Sequence, residues 1–187
     1  DMDHYLNTTD NDILDPKLLM NMREGAKMLF SHIAQKDMIY MIVDPDVDGY
    51  TSAALFINYL NAQFPGYAQN YIYYTMHDGK QHGLIESDIT DVLEHNAKLV
   101  IMIDSSSNDY DLHKQLKDKD IDILVIDHHE ADQVSQNACV INNQLCDYPT
   151  KSLSGVGMAY KFCSYIDQFL EEKTADNFLD LVAVGLI

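Results

Sequence analysis

Three groups of side chains in this sequence have the types and spacing to gather divalent cations. They are Asp44, Asp46 and Asp48 within Asp44-Pro45-Asp46-Val47-Asp48-Gly49; the solitary Asp104; and Asp127-His128-His129. Each follows a short apolar run, over residues 38–43, 99–103 and 121–126. Several carboxylates cannot crowd into one crevice as bare anions, because repulsion and desolvation penalise each added charge. Divalent cations remove that conflict. Carboxylate oxygens with imidazole nitrogen suit Mn²⁺, Mg²⁺ or Zn²⁺, and no nearby thiolate draws the choice toward a closed zinc site. Two ions about 3.5–4 Å apart would clamp the attacking and leaving oxygens of a phosphoryl displacement. Asp104 is the natural carboxylate to bridge them, and a hydroxide shared by the two ions would be the nucleophile near neutral pH.

Taken singly, none of these residues requires a metal. An aspartate at a strand end is usually a turn or helix cap, Asp48-Gly49 is an ordinary turn signal, and an isolated histidine is more often packed or solvated than ligating. The metal reading rests on the joint occurrence at the ends of three buried strands.

The elements that must position these groups alternate along the chain. Residues up to Asn11 read as a lead-in. Asp15-Pro16 offers an N-cap and first helical position, with Leu18, Leu19, Met22, Ala26, Leu29 and Ile33 continuing at helical spacing. The runs 38–43, 99–103 and 121–126 are continuous rather than alternating, as in parallel strands buried on both faces. Thr51-Ser52 opens an apolar helix through Leu60, residues 69–76 read as a further strand, and Ser87 caps a helix to about His95. A short strand is expected at 139–141, and Ser154-Gly155-Val156-Gly157 precedes a helix to about Leu170. The fold class is α/β: an open, mostly parallel sheet flanked by helices, with the active crevice at the carboxyl ends of the strands. Ser154, Gly155 and Gly157 could present backbone N–H groups to a phosphate, although a two-glycine turn is a weak signal and close helix–strand packing is slightly favoured. Tyr71, Tyr73 and Tyr74 could stack on bases, but their spacing on a strand favours core packing.

The bulk composition restricts the partners. The formal charge is −18 over 187 residues, and a surface this acidic repels polyanions over its area as a whole. No basic stripe of the kind a nucleic-acid binder shows is present. Either the substrate is small, or contact with a long strand comes from metal ions and from parts outside this chain. No apolar run is long enough to cross a bilayer, and the opening Asp1-Met2-Asp3-His4-Tyr5 is unlike a signal peptide. Cys139, Cys146 and Cys163 lack metal-site spacing and read as reduced thiols of a cytoplasmic protein.

Taken in order, the motifs resemble a known family. Asp44-Pro45-Asp46-Val47-Asp48-Gly49-Tyr50-Thr51-Ser52 resembles the first motif of the RecJ-like branch of the DHH phosphoesterases, Asp104 the solitary aspartate of the second, and Asp127-His128-His129 the motif that names the family. His82-Gly83-Leu84, Ile141-Asn142-Asn143-Gln144 and Asp147 to Lys161 are similar to further RecJ stretches. The resemblance implies that Asp46 and Asp48 ligate two different metal ions, that Asp104 bridges them, and that His128 binds the second. It implies that His129 faces the scissile phosphate, that Asp44 ligates or supports its neighbours, and that Asp127 orients a histidine. Pro45 departs from the usual RecJ residue. Ile42 stands where the pyrophosphatase-like branch has a histidine, which favours RecJ-like coordination.

The family's fourth acidic ligand would fall just past Ile187, and the apolar segment 181–187 belongs inside a core. Residues 1–187 are therefore expected to be the DHH catalytic domain, truncated at its C-terminal end, of a longer protein, with the second DHH-associated domain absent. The expected cofactors are two divalent ions, Mn²⁺ or Mg²⁺. The expected activity is 5′-to-3′ exonuclease action on single-stranded DNA. The alternatives are a phosphodiesterase for short oligonucleotides or cyclic dinucleotides, which the acidic surface favours, and a non-catalytic RecJ-like replication scaffold, which the intact ligand set disfavours.

Overall fold

The computed structural model describes residues 7, 9, 12–77 and 81–186; most of the lead-in before Asp12, and Ile187, lie outside them. Five parallel strands form the sheet: β1 (Ile39–Val43), β2 (Ile72–Met76), β3 (Leu99–Ile103), β4 (Asp122–Asp127) and β5 (Cys139–Asn142), in the order β2-β1-β3-β4-β5. Every residue of β1 and β3 is buried. Alternate side chains point into two apolar layers. Ile39, Met41, Val43, Leu99, Ile101, Ile103, Leu124 and Ile126 pack on α1 (Met22–Gln35), α2 (Val47–Gln63) and α6 (Gly155–Leu170). Tyr40, Ile42, Val100, Met102, Ile123 and Val125 pack on α4 (Glu86–Glu94) and α5 (Tyr110–Lys117). Burying each such side chain contributes about 1.5–3 kcal/mol. This two-sided burial is why the strands read as continuous apolar runs.

The order also fixes where a site can form. The chain leaves β1 toward β2 over the α2 face and returns to β3 over the α4 face. The sheet therefore switches direction between β1 and β3, and a crevice opens at their carboxyl ends. Asp44 comes directly after β1 and Asp104 directly after β3 at that point.

Local structure departs from the sequence expectations at several points. Asp15-Pro16 opens only a 3-10 turn, Pro16–Leu18, and α1 starts at Met22, because Asn21 turns left-handed with its Nδ2 donating to the Val140 carbonyl at 2.7 Å. Helix α2 begins at Val47 rather than near Thr51, with Asp46 as its cap. Residues 69–71 belong to a short helix, α3 (Tyr67–Tyr71), in which Tyr67 and Tyr71 stack one turn apart with ring centroids at 5.2 Å. Ser87 lies in the first turn of α4, where Asp88 accepts the Ile85 N–H at 2.8 Å instead. The core packing expected of Tyr73 and Tyr74 fails because β2 is the sheet edge; they are 41% and 57% exposed.

The apolar segment near the C-terminus also differs from expectation. It forms α7 (Leu179–Gly185), which has no fully buried residue; Leu181 and Val182 pack half-buried against the core. Its Gly185 sits so close to α2 and α6 that a Cβ would meet Thr51 Oγ1 at 2.4 Å and Val156 Cγ1 at 2.6 Å. Among the described residues no helix is long and apolar enough to cross a membrane, and all three cysteines are free.

Candidate metal centre

The crevice between β1 and β3 gathers the acidic and histidine groups. Asp44 is 2% exposed, directly after β1; its Oδ2 accepts from His82 Nδ1 at 2.8 Å, and its Oδ1 is buried without a hydrogen-bond partner. Gly49 permits this arrangement, since a Cβ there would stand 2.4 Å from the Asp44 carbonyl oxygen. Asp46 is exposed; its Oδ1 caps α2 through Gly49 N–H at 2.8 Å. Asp104 is 1% exposed and directly follows β3 with φ +71°, and Ser106 lies two residues on with φ +77°. Holding two non-glycine residues in the left-handed region costs about 1–3 kcal/mol each, as backbone shaped for a site often does. Asp104 N–H donates to the Ile126 carbonyl at 2.9 Å, which fastens the turn to β4.

His128 Nε2 stands 3.0 Å from Asp104 Oδ1, but out of line for a hydrogen bond, so that buried oxygen is also unsatisfied. Desolvation raises the Asp104 carboxyl to about 6 against the pull of His128, and the neighbouring Asp48 and Asp46 add to the rise. In turn Asp104 raises the His128 imidazole above its ordinary value, against the effect of burial.

Asp127 fills a supporting position. Its Oδ1 accepts the His128 N–H at 2.7 Å, the His129 N–H at 3.2 Å and His129 Nδ1 at 2.8 Å; its Oδ2 accepts the Ser107 N–H at 3.1 Å. Burial alone would raise its carboxyl, but the His129 and Ser107 hydrogen bonds outweigh it and hold it down at about 2. The same contact raises His129 to about 9, so that imidazole is a cation at neutral pH.

The ligand atoms of Asp44, Asp46 and Asp104 lie within 4.8 Å of one another, and so do those of Asp104, His128 and His129. Asp104 is common to both groups. Two carboxylate oxygens, Asp44 Oδ1 and Asp104 Oδ1, are buried without a hydrogen-bond partner. This donor set fits divalent cations, whose charge would satisfy both oxygens.

Asp48 stands outside both groups. Its two oxygens accept the Gly155 and Val156 N–H groups at 2.7 Å each, and its Oδ2 lies 3.7 Å from His128 Nε2. Gly157 N–H goes to Ser154 Oγ at 3.2 Å and Met158 N–H to the Ser154 carbonyl at 2.9 Å. The first four N–H groups of α6 are thus bonded within the protein, to Asp48 and Ser154 rather than to a phosphate.

Two residues of the Ile141-Asn142-Asn143-Gln144 stretch, singled out only by resemblance, have a supporting role that the sequence did not show. Asn142 is fully buried at the end of β5; its Nδ2 donates to Ser107 Oγ at 2.8 Å and to the His129 carbonyl at 3.0 Å. Gln144 Nε2 donates to the His128 carbonyl at 3.0 Å and to that of Lys151 at 2.8 Å. Amides that fix the backbone of two site histidines leave no spacing signal, because they act across strands.

The pattern of the DHH family's N-terminal domain matches residues 37–186, which span all of these groups. The chain belongs to the DHH family. Over 184 residues, 98% of the chain, the DHH domain is 40% identical to YorK, an SPbeta prophage-derived protein of Bacillus subtilis provisionally named a single-strand DNA-specific exonuclease. It is 28% identical over 186 residues to the single-stranded-DNA-specific exonuclease RecJ of Bacillus subtilis, covering 98% of this chain and 23% of that protein. Among solved structures, an exonuclease RecJ bound to manganese shares the fold with a TM-score of 0.80 at 21% identity, over 92% of this chain and 44% of that one. The chain spans 31% of the length of YorK.

Proposed function

We propose that this DHH domain carries the active centre of a metal-dependent phosphodiesterase that degrades single-stranded DNA from the 5′ end. The observation that carries the reading is the position of Asp104, shared between two clusters of potential ligands. Asp44, Asp46 and Asp104 would hold one ion, and Asp104 with His128 the other, with Asp48 bordering the second. Two divalent cations, Mn²⁺ or Mg²⁺, would offset the carboxylate charge and lend Lewis acidity to water and phosphoryl oxygens. The protein's own groups do the rest. Asp127 holds His129 by Nδ1 and keeps it cationic, which suits it to an anionic phosphoryl oxygen rather than to a metal ion. Asn142 and Gln144 fix the backbone of both histidines. The names of the relatives, both single-strand DNA-specific exonucleases, support the substrate class. A cytoplasmic setting accords with the free cysteines.

A second reading has its own observation. Lys151 is tied to this region through Gln144, but its ammonium is committed to the carbonyls of Asn143 and Cys146. With a net charge of −18, the domain supplies little to hold the flanking phosphates of a long strand. That favours short oligonucleotides. Mn²⁺-dependent hydrolysis by the complete protein, on end-labelled single strands of graded length and on dinucleotides, separates the two. Rates that rise with length and release nucleotides from the 5′ end support the exonuclease; activity confined to the shortest substrates supports the second reading. Absence of hydrolysis on every length would contradict both.

A further inference from the structure

His82 is held as deliberately as the residues of the DHH motif. The residues directly after it are fastened to the loop that follows β3. Gly83 adopts φ +74°, and a Cβ there would meet Asp109 Oδ2 at 2.7 Å and Ser106 Oγ at 3.0 Å. Leu84 N–H donates to those same two atoms, at 2.9 and 3.0 Å, and its side chain is buried in the apolar layer under α4. Upstream, His77 Nε2 meets both oxygens of the buried Asp88, at 2.9 and 3.0 Å.

The ring itself is oriented. His82 Nδ1 lies 2.8 Å from Asp44 Oδ2. A carboxylate only accepts, so Nδ1 carries the proton. The side chain is otherwise 60% exposed, and it lines one cleft with His129, Asp104 and Ser105. Ser105 is 5% exposed, and its buried Oγ has no hydrogen-bond partner among the described residues. Two imidazoles thus border this cleft of about 340 Å³, each tethered through Nδ1 to a buried carboxylate: His82 to Asp44 after β1, and His129 to Asp127 at the end of β4.

We propose that His82 is a substrate-contacting residue, whose Nε2 edge meets the phosphoryl group of the substrate from the β1 side of the cleft while His129 meets it from the β4 side. The inference rests on the phosphodiesterase reading.

The test compares four His82 variants of the complete protein with Mn²⁺, on a single-stranded oligonucleotide and on bis(p-nitrophenyl) phosphate, a phosphodiester without bases. His82→Ala should lower kcat/KM by about 10- to 100-fold on both, the worth of one charge-assisted hydrogen bond. Calorimetric Mn²⁺ affinity should fall by much less than kcat/KM, whereas loss of a residue acting only as the Asp44 tether would weaken the metal by about 10- to 100-fold. His82→Gln, whose amide reaches the Nε2 position, should recover much of the loss. His82→Asn, whose amide takes the Nδ1 position and keeps the Asp44 contact, should not. Rescue by Asn but not Gln, with weakened Mn²⁺ binding in the alanine variant, would show that His82 only orients Asp44 and would overturn the proposal. So would rescue by His82→Phe, or a loss confined to the oligonucleotide, either of which indicates base stacking. Unaltered kinetics in all four variants would sink this inference alone; a wild-type protein inactive on both substrates would sink the phosphodiesterase reading and this inference with it.

Discussion

Gly155 lies so close to Asp104 that a Cβ on it would stand 2.3 Å from Asp104 Oδ1. The start of α6 is thereby pressed against the shared carboxylate, and no other residue fits there. Gly155→Ala should push Asp104 aside. Because small misplacements at a reacting centre are costly, Mn²⁺-dependent turnover should fall by about 10-fold or more. Gly157→Ala is the control: its nearest contact would be Ser154 Oγ at 3.5 Å, and turnover should remain near wild type. Steady-state kinetics on the two variants check the pair.

The metal-free fold should gain stability when its central charge is removed. Burial raises the Asp104 carboxyl from 3.8 to about 6, so the folded state holds a proton that the unfolded chain has released. Stability therefore falls as pH rises from the ordinary carboxylate range through about 6. The penalty at neutral pH is at most about 3 kcal/mol. Asn tolerates the left-handed backbone at this position as well as Asp does. In EDTA, Asp104→Asn should match wild type near about pH 4 and exceed it by about 1–3 kcal/mol near about pH 7. Urea denaturation at the two pH values measures the difference; equal stability at both would contradict a costly buried charge.

Asp127 and His129 should behave as one unit. The depressed Asp127 carboxyl, at about 2, contributes stability that is complete above its ordinary range and lost as pH falls toward about 2; the raised imidazole, at about 9, contributes stability that is complete below its ordinary value and lost as pH rises through about 9. These are two views of one interaction and do not add. Asp127→Asn removes the charge and turns an amide toward the Ser107 N–H. It should cost about 1–3 kcal/mol, the range for a buried hydrogen-bonding group left unpaired. It should also bring the His129 titration, followed by NMR in EDTA, down from about 9 toward its ordinary value. A His129 titration unmoved in that variant would show that Asp127 does not hold the ring.

Much of this centre was legible because parallel strands buried on both faces are continuous apolar runs, and a carboxylate at the carboxyl end of such a run is conspicuous. Asp44, Asp104 and Asp127 stand out for that reason. Asp48 was harder to place: its neighbours on the chain do not reveal that its oxygens meet Gly155 and Val156, more than a hundred residues away. Asn142, Gln144 and Ser107 were invisible as a network, since hydrogen bonds across strands leave no local pattern. The tyrosines of β2 were misjudged because strand order, which makes β2 an edge, is a property of the whole sheet.

The most direct test of the shared centre is a calorimetric Mn²⁺ titration of the complete wild-type protein beside its Asp104→Asn variant, each checked for fold by circular dichroism. If Asp104 bridges two sites, wild type binds two ions and the variant weakens both, each by about 10-fold or more, as loss of a shared charged ligand requires. A variant that loses one ion and keeps the other at wild-type affinity, or that keeps both, would contradict the account.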